Sequence, residues 1–299
     1  MTTQLKEILV IGGTGAQGMP VVQGIKSGRA QQLSTLPNVT FVEGTQDNQD
    51  DLHAAFRGVY GAFVNFDGFT LGERNETFYG MRAYEIARHE GVKHYIWASI
   101  DYGLKKSGWD EQYHCGHNDA KGRIADYILS HGQDKMITSV FTTGPYMDML
   151  FDGMFVPETE PNGDVVWANP AGSGKIPLIA LTDVGHYILW ILDNPQRSSG
   201  VQLEVATEEV SFTDIAATFT KVTSRNGIYR FTDFEPYMKK WEPYPGAPTN
   251  WTKGPNAPKD PSQMTWVENF TGWWKYWGNV TLEELKSLDL HHIDFTDTS

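Results

Sequence analysis

A short apolar strand that runs directly into a glycine-rich turn constrains the fold of this chain more than any other feature. The run Ile8–Ile11 precedes three glycines spaced three apart, and Pro20 to Ile25 then has the pattern of the start of a helix. Glycine permits a tight turn and lets backbone N–H groups approach a pyrophosphate, whose negative charge the N-terminus of a helix favours. The alternative is a structural turn without a ligand. The strand before the turn and the helix after it favour dinucleotide binding, by Gly12, Thr14, Gly15, Ala16, Gln17 and Gly18.

Strand patterns alternate with helical patterns through the N-terminal half of the chain. The predicted strands are Val39 to Val42, Ala62 to Phe66, His94 to Ser99 and Met136 to Thr142. The predicted helices are Asp47 to Phe56, Phe78 to Ala87 and Asp119 to Leu129. This alternation predicts an α/β fold, a Rossmann-type doubly wound parallel sheet with helices on both faces.

One strand is missing from the alternation. Between the first helix, near Ile25, and the helical-looking stretch Arg29 to Leu33 there is no room for it. In a sheet of order 3-2-1-4-5-6 this second strand lies beside the first, and its end selects NAD or NADP. We expect either that residues around Ser27 to Ala30 are absent from this sequence or that the chain closes the gap in an unusual way. Arg29 is a candidate for cofactor selection, and a solvated charge is the alternative.

The pattern loosens from about Thr143 onward, where Pro, Gly and aromatic residues are frequent. Two helices are still predicted there, Thr182 to Leu192 with its cap at Thr182 or Asp183, and Ser211 to Val222. We therefore expect an NAD(P)-binding domain over residues 1–145 and a smaller substrate-binding lobe over residues 146–299, packed together as one unit. Tyr146, Met147, Phe151 and the C-terminal tryptophans could roof an apolar pocket there, or form the core of the lobe.

Charge and composition exclude several kinds of partner. The net charge of −13 argues against direct binding of nucleic acid and of anionic membranes. The single cysteine, Cys115, excludes an intrachain disulfide and fits a reducing compartment. The N-terminus has no signal pattern, and no run of about 18 apolar residues is present. We expect a cytoplasmic protein, or a nuclear one if it is a regulator, with a small and aromatic organic substrate.

A second group of candidate residues lies on the helix that follows the predicted strand His94 to Ser99. A spacing of four puts His117 and Lys121 on one face of that helix. A lysine ammonium can hold the nicotinamide ribose and take part in proton transfer during hydride transfer. The alternative is an exposed charged face of an amphipathic helix.

Strand ends supply further candidates, because open α/β sheets bind ligands at their carboxyl edge. Asn65, Phe66, Ser99, Thr143, Pro145 and Tyr146 follow or close predicted strands. Ordinary packing at a strand end is the alternative for each of them. His114, Cys115 and His117 lack a further ligand at the spacing of a known zinc site, so no metal site is predicted.

With these residues in place, the chain resembles the NmrA-like family, an atypical branch of the short-chain dehydrogenase/reductase superfamily. The resemblance spans nearly the whole chain. It rests on the glycine turn, on Pro37 to Gly44, on Val92 to Ser99 and on His117 to Lys121. Where ordinary members of the superfamily have Tyr-x-x-x-Lys, this chain has His117 in the tyrosine position and keeps Lys121.

The resemblance implies dinucleotide binding, with NADP expected and NAD as the alternative, since the family has a basic cofactor-selecting loop after its second strand. It implies catalysis less directly, because the family includes reductases that rely on the lysine and redox-sensing regulators without known turnover. The first hypothesis is therefore an NAD(P)H-dependent oxidoreductase with Lys121 as proton source and His117 or Tyr146 as substitute acid. Tyr113 is a further candidate acid. The others are a non-catalytic sensor that binds a protein partner, and an isomerase or lyase of secondary metabolism.

Overall fold

A computed structural model describes residues 6–13, 15–25, 39–40, 42–260 and 263–279 of the chain. Its helices are α1 (Gly18–Ile25), α2 (Gln49–Phe56), α3 (Gly68–Leu71), α4 (Glu73–His89), α5 (Gly103–Lys106), α6 (Gly116–Leu129), α7 (Leu181–Asp193), α8 (Pro195–Ser198), α9 (Phe212–Thr223), α10 (Phe234–Trp241) and α11 (Trp266–Asn279). Its strands are β1 (Ile8–Ile11), β2 (Gly61–Val64), β3 (His94–Ile100), β4 (Ile137–Thr143), β5 (Glu158–Thr159), β6 (Val165–Asn169), β7 (Ile176–Leu178), β8 (Val201–Val205), β9 (Glu208–Val210) and β10 (Gly227–Phe231). No helix in these ranges is long and apolar enough to cross a membrane.

The described chain divides into two compact units. The first unit comprises Met1–Asp101, Ala120–Thr142 and Leu181–Leu203, and the second comprises Tyr102–Asp119, Thr143–Ala180 and Glu204–Ser299. The division expected between residues 145 and 146, with a substrate lobe after it, stays a prediction.

The first unit is built on a five-stranded sheet of order β1-β2-β3-β4-β8. β1 pairs in parallel with β2, and β2 in parallel with β3, in the register Ile11↔Val64↔Trp97. This is the predicted Rossmann-type class of fold. Most of the predicted elements are confirmed with bounds moved by a few residues, because apolar periodicity marks the middle of an element better than its ends.

The core of the first unit lies between the sheet and its helices. Strand residues Val64, Tyr95, Trp97 and Val140 are fully buried in this core. Phe56 of α2, Tyr84 of α4 and Ile124 of α6 are buried in the same cluster. Gly80 of α4 faces Ile124 of α6 so closely that a Cβ would overlap its side chain. Helices α4 and α6 therefore pack tightly beside each other.

β1 is the last strand on its side of the sheet within the described residues. Its four residues are only half-buried, whereas all four of β2 are buried, as expected for a strand paired on one edge. The predicted strand Val39 to Val42 is wrong for Val39, Thr40 and Val42, which adopt no regular structure, and Val42 is 63% exposed. A β-branched run forms a strand only where a neighbouring strand pairs with it. Phe41, the stretch Arg29 to Leu33 and the region of the missing strand lie outside the described residues.

The second unit has a three-stranded sheet of order β10-β6-β5 and a two-stranded sheet of β7 and β9. The tryptophans of α11 belong to its core: Trp274 and Trp277 are almost fully buried, and Trp274 packs against Phe155 and Phe212. Trp109, Trp241 and Trp251 of the same unit are exposed. Phe151, by contrast, is 87% exposed. Helix α9 begins after the N-cap Ser211, close to its predicted start.

The expected cap of α7 at Thr182 or Asp183 is wrong, since the helix begins at Leu181. Both polar residues lie in its first turn instead. An acid such as Asp183 is still favourable there, next to the positive end of the helix dipole, so its position did not mark the cap.

Candidate functional site

The glycine turn after β1 is closed by its own backbone. The amide of Gly15 donates to the carbonyl of Gly12 at 2.8 Å, and the amide of Met19 donates to the carbonyl of Gly15 at 3.0 Å. Gly12 has a φ of +79°, which side chains rarely adopt, and a Cβ at Gly18 would overlap the carbonyl oxygen of Gly12. The turn therefore requires glycine at both positions, for conformation at Gly12 and for space at Gly18.

The turn leads straight into α1, which begins at Gly18. Gly12, Gly15 and Ala16 are exposed, whereas Gln17 is buried. Exposed backbone at the N-terminus of a helix is the arrangement that receives anionic groups. Thr14, the sixth predicted member of this site, lies outside the described residues.

Strand register brings the turn beside the end of β2. Ile11 is paired with Val64, so the residues that follow them, Gly12 and Asn65, meet at the same edge of the sheet. A Cβ at Gly12 would lie 2.9 Å from the carbonyl oxygen of Asn65. The structure thus brings two of the predicted site segments together, because the carboxyl ends of neighbouring parallel strands lie at the same edge of a sheet.

The side chain of Lys121, on α6, also reaches this edge of the sheet. Its ammonium donates to the carbonyl of Phe66 at 2.9 Å and to Oδ1 of Asn65 at 3.1 Å. A third contact is an ion pair with Oε1 of Glu76 at 2.9 Å. The ammonium also lies 5.1 Å from the centre of the Trp97 ring, whose indole N–H donates to the Lys121 carbonyl. Lys121 is 8% exposed, so the alternative of an exposed charged face is wrong for it.

Glu76 is a member of this site that sequence reasoning missed. It lies on α4, is fully buried, and its Oε2 packs against Gly68 without a hydrogen-bond partner among the described residues. Burial raises the pKa of its carboxyl, and the Lys121 ammonium lowers it by less. A signal was present: Glu76, Gly80, Ala83 and Ala87 form one stripe of α4, and a carboxylate on an otherwise apolar stripe predicts a buried partner.

His117 lies in the second unit within a polar cluster. Its Nδ1 is 3.2 Å from Sγ of Cys115 and 3.0 Å from the side-chain amide nitrogen of Asn269. Its ring also packs against Phe270. His117 is 8% exposed, so an exposed charged face is wrong here too. Its role as a substitute acid stays a prediction.

The remaining predicted site residues divide between the units. Ser99 of the first unit is buried, and its hydroxyl donates to the carbonyl of Ile100. Thr143, Pro145 and Tyr146 belong to the second unit, where the Pro145 carbonyl accepts from the amide of Ile179. Burial raises the pKa of the Tyr146 phenol to about 12, which keeps it protonated. The structure thus collects Gly12, Asn65, Phe66 and Lys121 around one edge.

A parallel sheet whose first strand ends in a glycine turn at a helix N-terminus defines the Rossmann-type class. Within that class, this chain belongs to the NmrA-like family, since the model of that family matches residues 25–247. Two relatives illustrate the range of the family. The chain is 24% identical to the NmrA-like family domain-containing oxidoreductase FrzB of Cladobotryum sp over 268 residues, which cover 79% of this chain and 78% of the relative. It is 26% identical to the nitrogen metabolite repression protein nmrA of Emericella nidulans over 255 residues, which cover 77% and 69%.

Solved structures share the fold. The negative transcriptional regulator NmrA in complex with NAD superimposes with a TM-score of 0.65 at 18% identity, over 96% of each chain. The triphenylmethane reductase of Citrobacter sp. complexed with NADP(H) superimposes with a TM-score of 0.62 at 16% identity, over 97% of each chain. At these identities the likeness concerns the fold alone.

Proposed function

We propose that this chain binds a nicotinamide dinucleotide at the turn between β1 and α1 and uses it to reduce a small organic substrate. One observation carries the proposal: the turn excludes a side chain at Gly12 and at Gly18 while leaving Gly12, Gly15 and Ala16 exposed at the start of a helix. Such a cradle accommodates a pyrophosphate against backbone N–H groups. Solved structures of the same fold hold NAD in one case and NADP(H) in another, which supports the same class of ligand here.

NADP is the form we expect. The second strand and the basic loop by which the family selects the 2′-phosphate have no recognisable counterpart in this sequence, and residues 26–38, where they would fall, lie outside the described residues. Titration with NAD, NADP and both reduced forms measures the preference between the two cofactors directly.

A bound dinucleotide would supply the hydride, and the substrate oxygen would need one proton. Lys121 is the candidate source, since its ammonium reaches the carboxyl edge of the sheet beside Gly12 and Asn65. Its three contacts are with Asn65, Phe66 and Glu76, and the contact with Asn65 Oδ1 is the longest. Lys121 could therefore turn one N–H from Asn65 to a ligand hydroxyl while Glu76 and the Phe66 carbonyl still hold it. Oxidoreductases among the curated relatives support a reductase.

A matched pair of glycine variants tests the binding site. Gly12 and Gly91 both lie in the first unit with φ near +80°, but a Cβ at Gly91 would meet nothing within 4 Å. Gly12→Ala should weaken the binding of NADPH by at least about tenfold through displacement of Asn65, whereas Gly91→Ala carries the same backbone strain of roughly 1 kcal/mol and should leave binding intact. Titration with NAD, NADP and both reduced forms, followed by protein and nicotinamide fluorescence, measures each affinity. Equal affinities for the two variants would contradict the assignment.

A non-catalytic sensor is the second candidate, and the contacts of the polar residues favour it. The usual tyrosine is replaced by His117, whose Nδ1 contacts Cys115 and Asn269, and three acceptors surround Lys121. Such a protein would bind the dinucleotide and change its affinity for a regulatory protein. Incubation with NADPH and a panel of quinones, aldehydes and enones decides between the two. Steady oxidation of NADPH that Lys121→Ala abolishes supports the reductase, and tight binding without turnover supports the sensor.

A further inference from the structure

Two helices of the first unit end beside each other, and three potential metal ligands meet there. His53 lies in the last turn of α2, His89 is the final residue of α4, and Glu90 follows as its C-cap. One imidazole nitrogen from each histidine and one oxygen of the carboxylate lie within 4.8 Å of one another. The histidines are 36 positions apart in sequence, so no spacing motif announces the cluster.

Both imidazoles face the same carboxylate oxygen. Oε1 of Glu90 is 2.7 Å from Nδ1 of His53 and 3.4 Å from Nδ1 of His89. The other oxygen, Oε2, is 3.5 Å from Nε of Arg57. The guanidinium therefore orients the carboxylate and leaves Oε1 for the imidazoles, as outer partners do for the carboxylate ligands of metals.

The surroundings favour a cation at this point. The carboxyl ends of helices carry partial negative charge, and both α2 and α4 end at the cluster. The ends of both helices are anchored to the core of the unit, because Leu52 and Phe56 of α2 and Ile86 of α4 are buried there. Two imidazoles and a carboxylate on a fixed frame form a ligand set typical of Zn²⁺, with a position left for water.

We propose that His53, His89 and Glu90 form a binding site for a divalent transition-metal ion, with Zn²⁺ as the expected ion. Nδ1 of both histidines and Oε1 of Glu90 are the ligand atoms. Tetrahedral zinc holds its nitrogen and oxygen ligands about 3.3 Å apart. The distance of 3.4 Å between Nδ1 of His89 and Oε1 of Glu90 already fits this value. The distance of 2.7 Å between Nδ1 of His53 and Oε1 of Glu90 would increase by several tenths of an ångström when the ion binds. The ion would link the ends of α2 and α4, and it is independent of the glycine turn.

Metal titration of the whole chain tests this site. Protein freed of metal with EDTA is titrated with Zn²⁺ against a chromophoric indicator, and one saturable equivalent is expected. His89→Gln is the informative variant, since the side chain is 74% exposed and its replacement leaves folding intact. It should weaken Zn²⁺ binding by at least about tenfold, the smallest effect usual even for outer partners of a metal.

Two controls separate this site from other histidines. His131 of the same unit lies 3.7 Å from Glu85 without a second histidine in that pair, so His131→Gln should leave Zn²⁺ affinity unchanged. Replacing His291 and His292 together by Gln should also leave it unchanged.

Absence of saturable binding, or an affinity that His89→Gln leaves unchanged, would overturn the proposal. So would loss of binding only in the variant of His291 and His292. The same His89→Gln protein should bind NADPH as the wild type does, which keeps this test distinct from that of the dinucleotide site.

Discussion

Two buried polar clusters with residues on helix α6 differ in charge, and the difference decides what each can do. In the first unit, Lys121 forms an ion pair with Glu76 and donates to the loop after β2. In the second unit, the side chain of His117 contacts the thiol of Cys115 and the side-chain amide of Asn269. A buried charge without its partner is far more costly than a buried neutral group without a hydrogen bond.

We therefore expect that removal of one partner of the buried Lys121–Glu76 ion pair destabilises the first unit strongly. Lys121 supplies the charge that Glu76 needs and at the same time holds Asn65 beside Gly12. The cluster around His117, which includes contacts with a thiol and an amide, can lose the amide at a moderate loss of stability. Variants at both clusters, and at one further buried titratable group, test how much a buried charge contributes to stability.

Lys121→Met should lower the free energy of unfolding by about 3–5 kcal/mol, because it leaves the Glu76 carboxylate buried without a countercharge. Urea denaturation measures the loss. Arg123→Met is the matched control, since Arg123 pairs with Glu73 across the same two helices but is about one third exposed. It should lose less than about 1 kcal/mol.

The pH dependence of the Lys121→Met variant identifies Glu76 as the cause. Burial raises the pKa of the Glu76 carboxyl above that of the unfolded chain, so the stability this group contributes is present below the unfolded pKa and lost as the pH rises through the folded pKa. The deficit of the variant should grow as the pH rises above 4.5, the ordinary pKa of this carboxyl. Replacing Glu76 by Leu as well should recover part of the loss. A deficit equal to that of Arg123→Met at every pH would show that the pair is not a buried charge.

His94 of β3 is a buried titratable group without an acidic partner among the residues that the structure describes. Its Nε2 contacts Oγ of Ser139 at 3.2 Å, and Nδ1 has no hydrogen-bond partner in the described part of the chain. Burial lowers its pKa from 6.5 to about 4. The neutral imidazole therefore contributes full stability above pH 6.5, and up to about 3 kcal/mol is lost as the pH falls towards 4.

Stability measured by urea denaturation across that range should fall less steeply in His94→Gln, which does not titrate. The variant is expected to be less stable than the wild type at neutral pH because the packing changes. Parallel pH profiles of the two proteins would contradict the assignment of this slope to His94.

Asn269→Leu should have the smallest effect of the three, about 1–2 kcal/mol, because it leaves Nδ1 of His117 without the amide but buries no charge. Urea denaturation again measures it. Asn162→Ala, at an exposed position of the second unit where the side chain bonds to Asp164, should change stability by at most about 0.5 kcal/mol. A loss for Asn269→Leu as large as that for Lys121→Met would remove the distinction between the clusters.

The parts of this site that could be predicted from sequence are those with a local cause. The strand Ile8–Ile11, the turn that follows and the helix that carries Lys121 each leave a pattern within about ten residues. The helix Glu73–His89 was predicted only over Phe78 to Ala87, a span that begins after Glu76. Glu76 acquires its meaning only from Lys121, 45 positions away, and from Gly68 beneath it.

By itself, the sequence determined the alternation of strands and helices, the need for glycine at the turn, and the absence of the usual tyrosine. The tertiary structure decided which strand has a neighbour, so that β1 ends the described sheet and Val42 is exposed rather than paired. It also decided that Lys121 lies buried among three acceptors from two other elements, rather than on an exposed face. The physical reason is that periodicity and turn chemistry act over a few neighbouring residues, whereas burial, strand pairing and the partner of a charge depend on residues that only folding brings together.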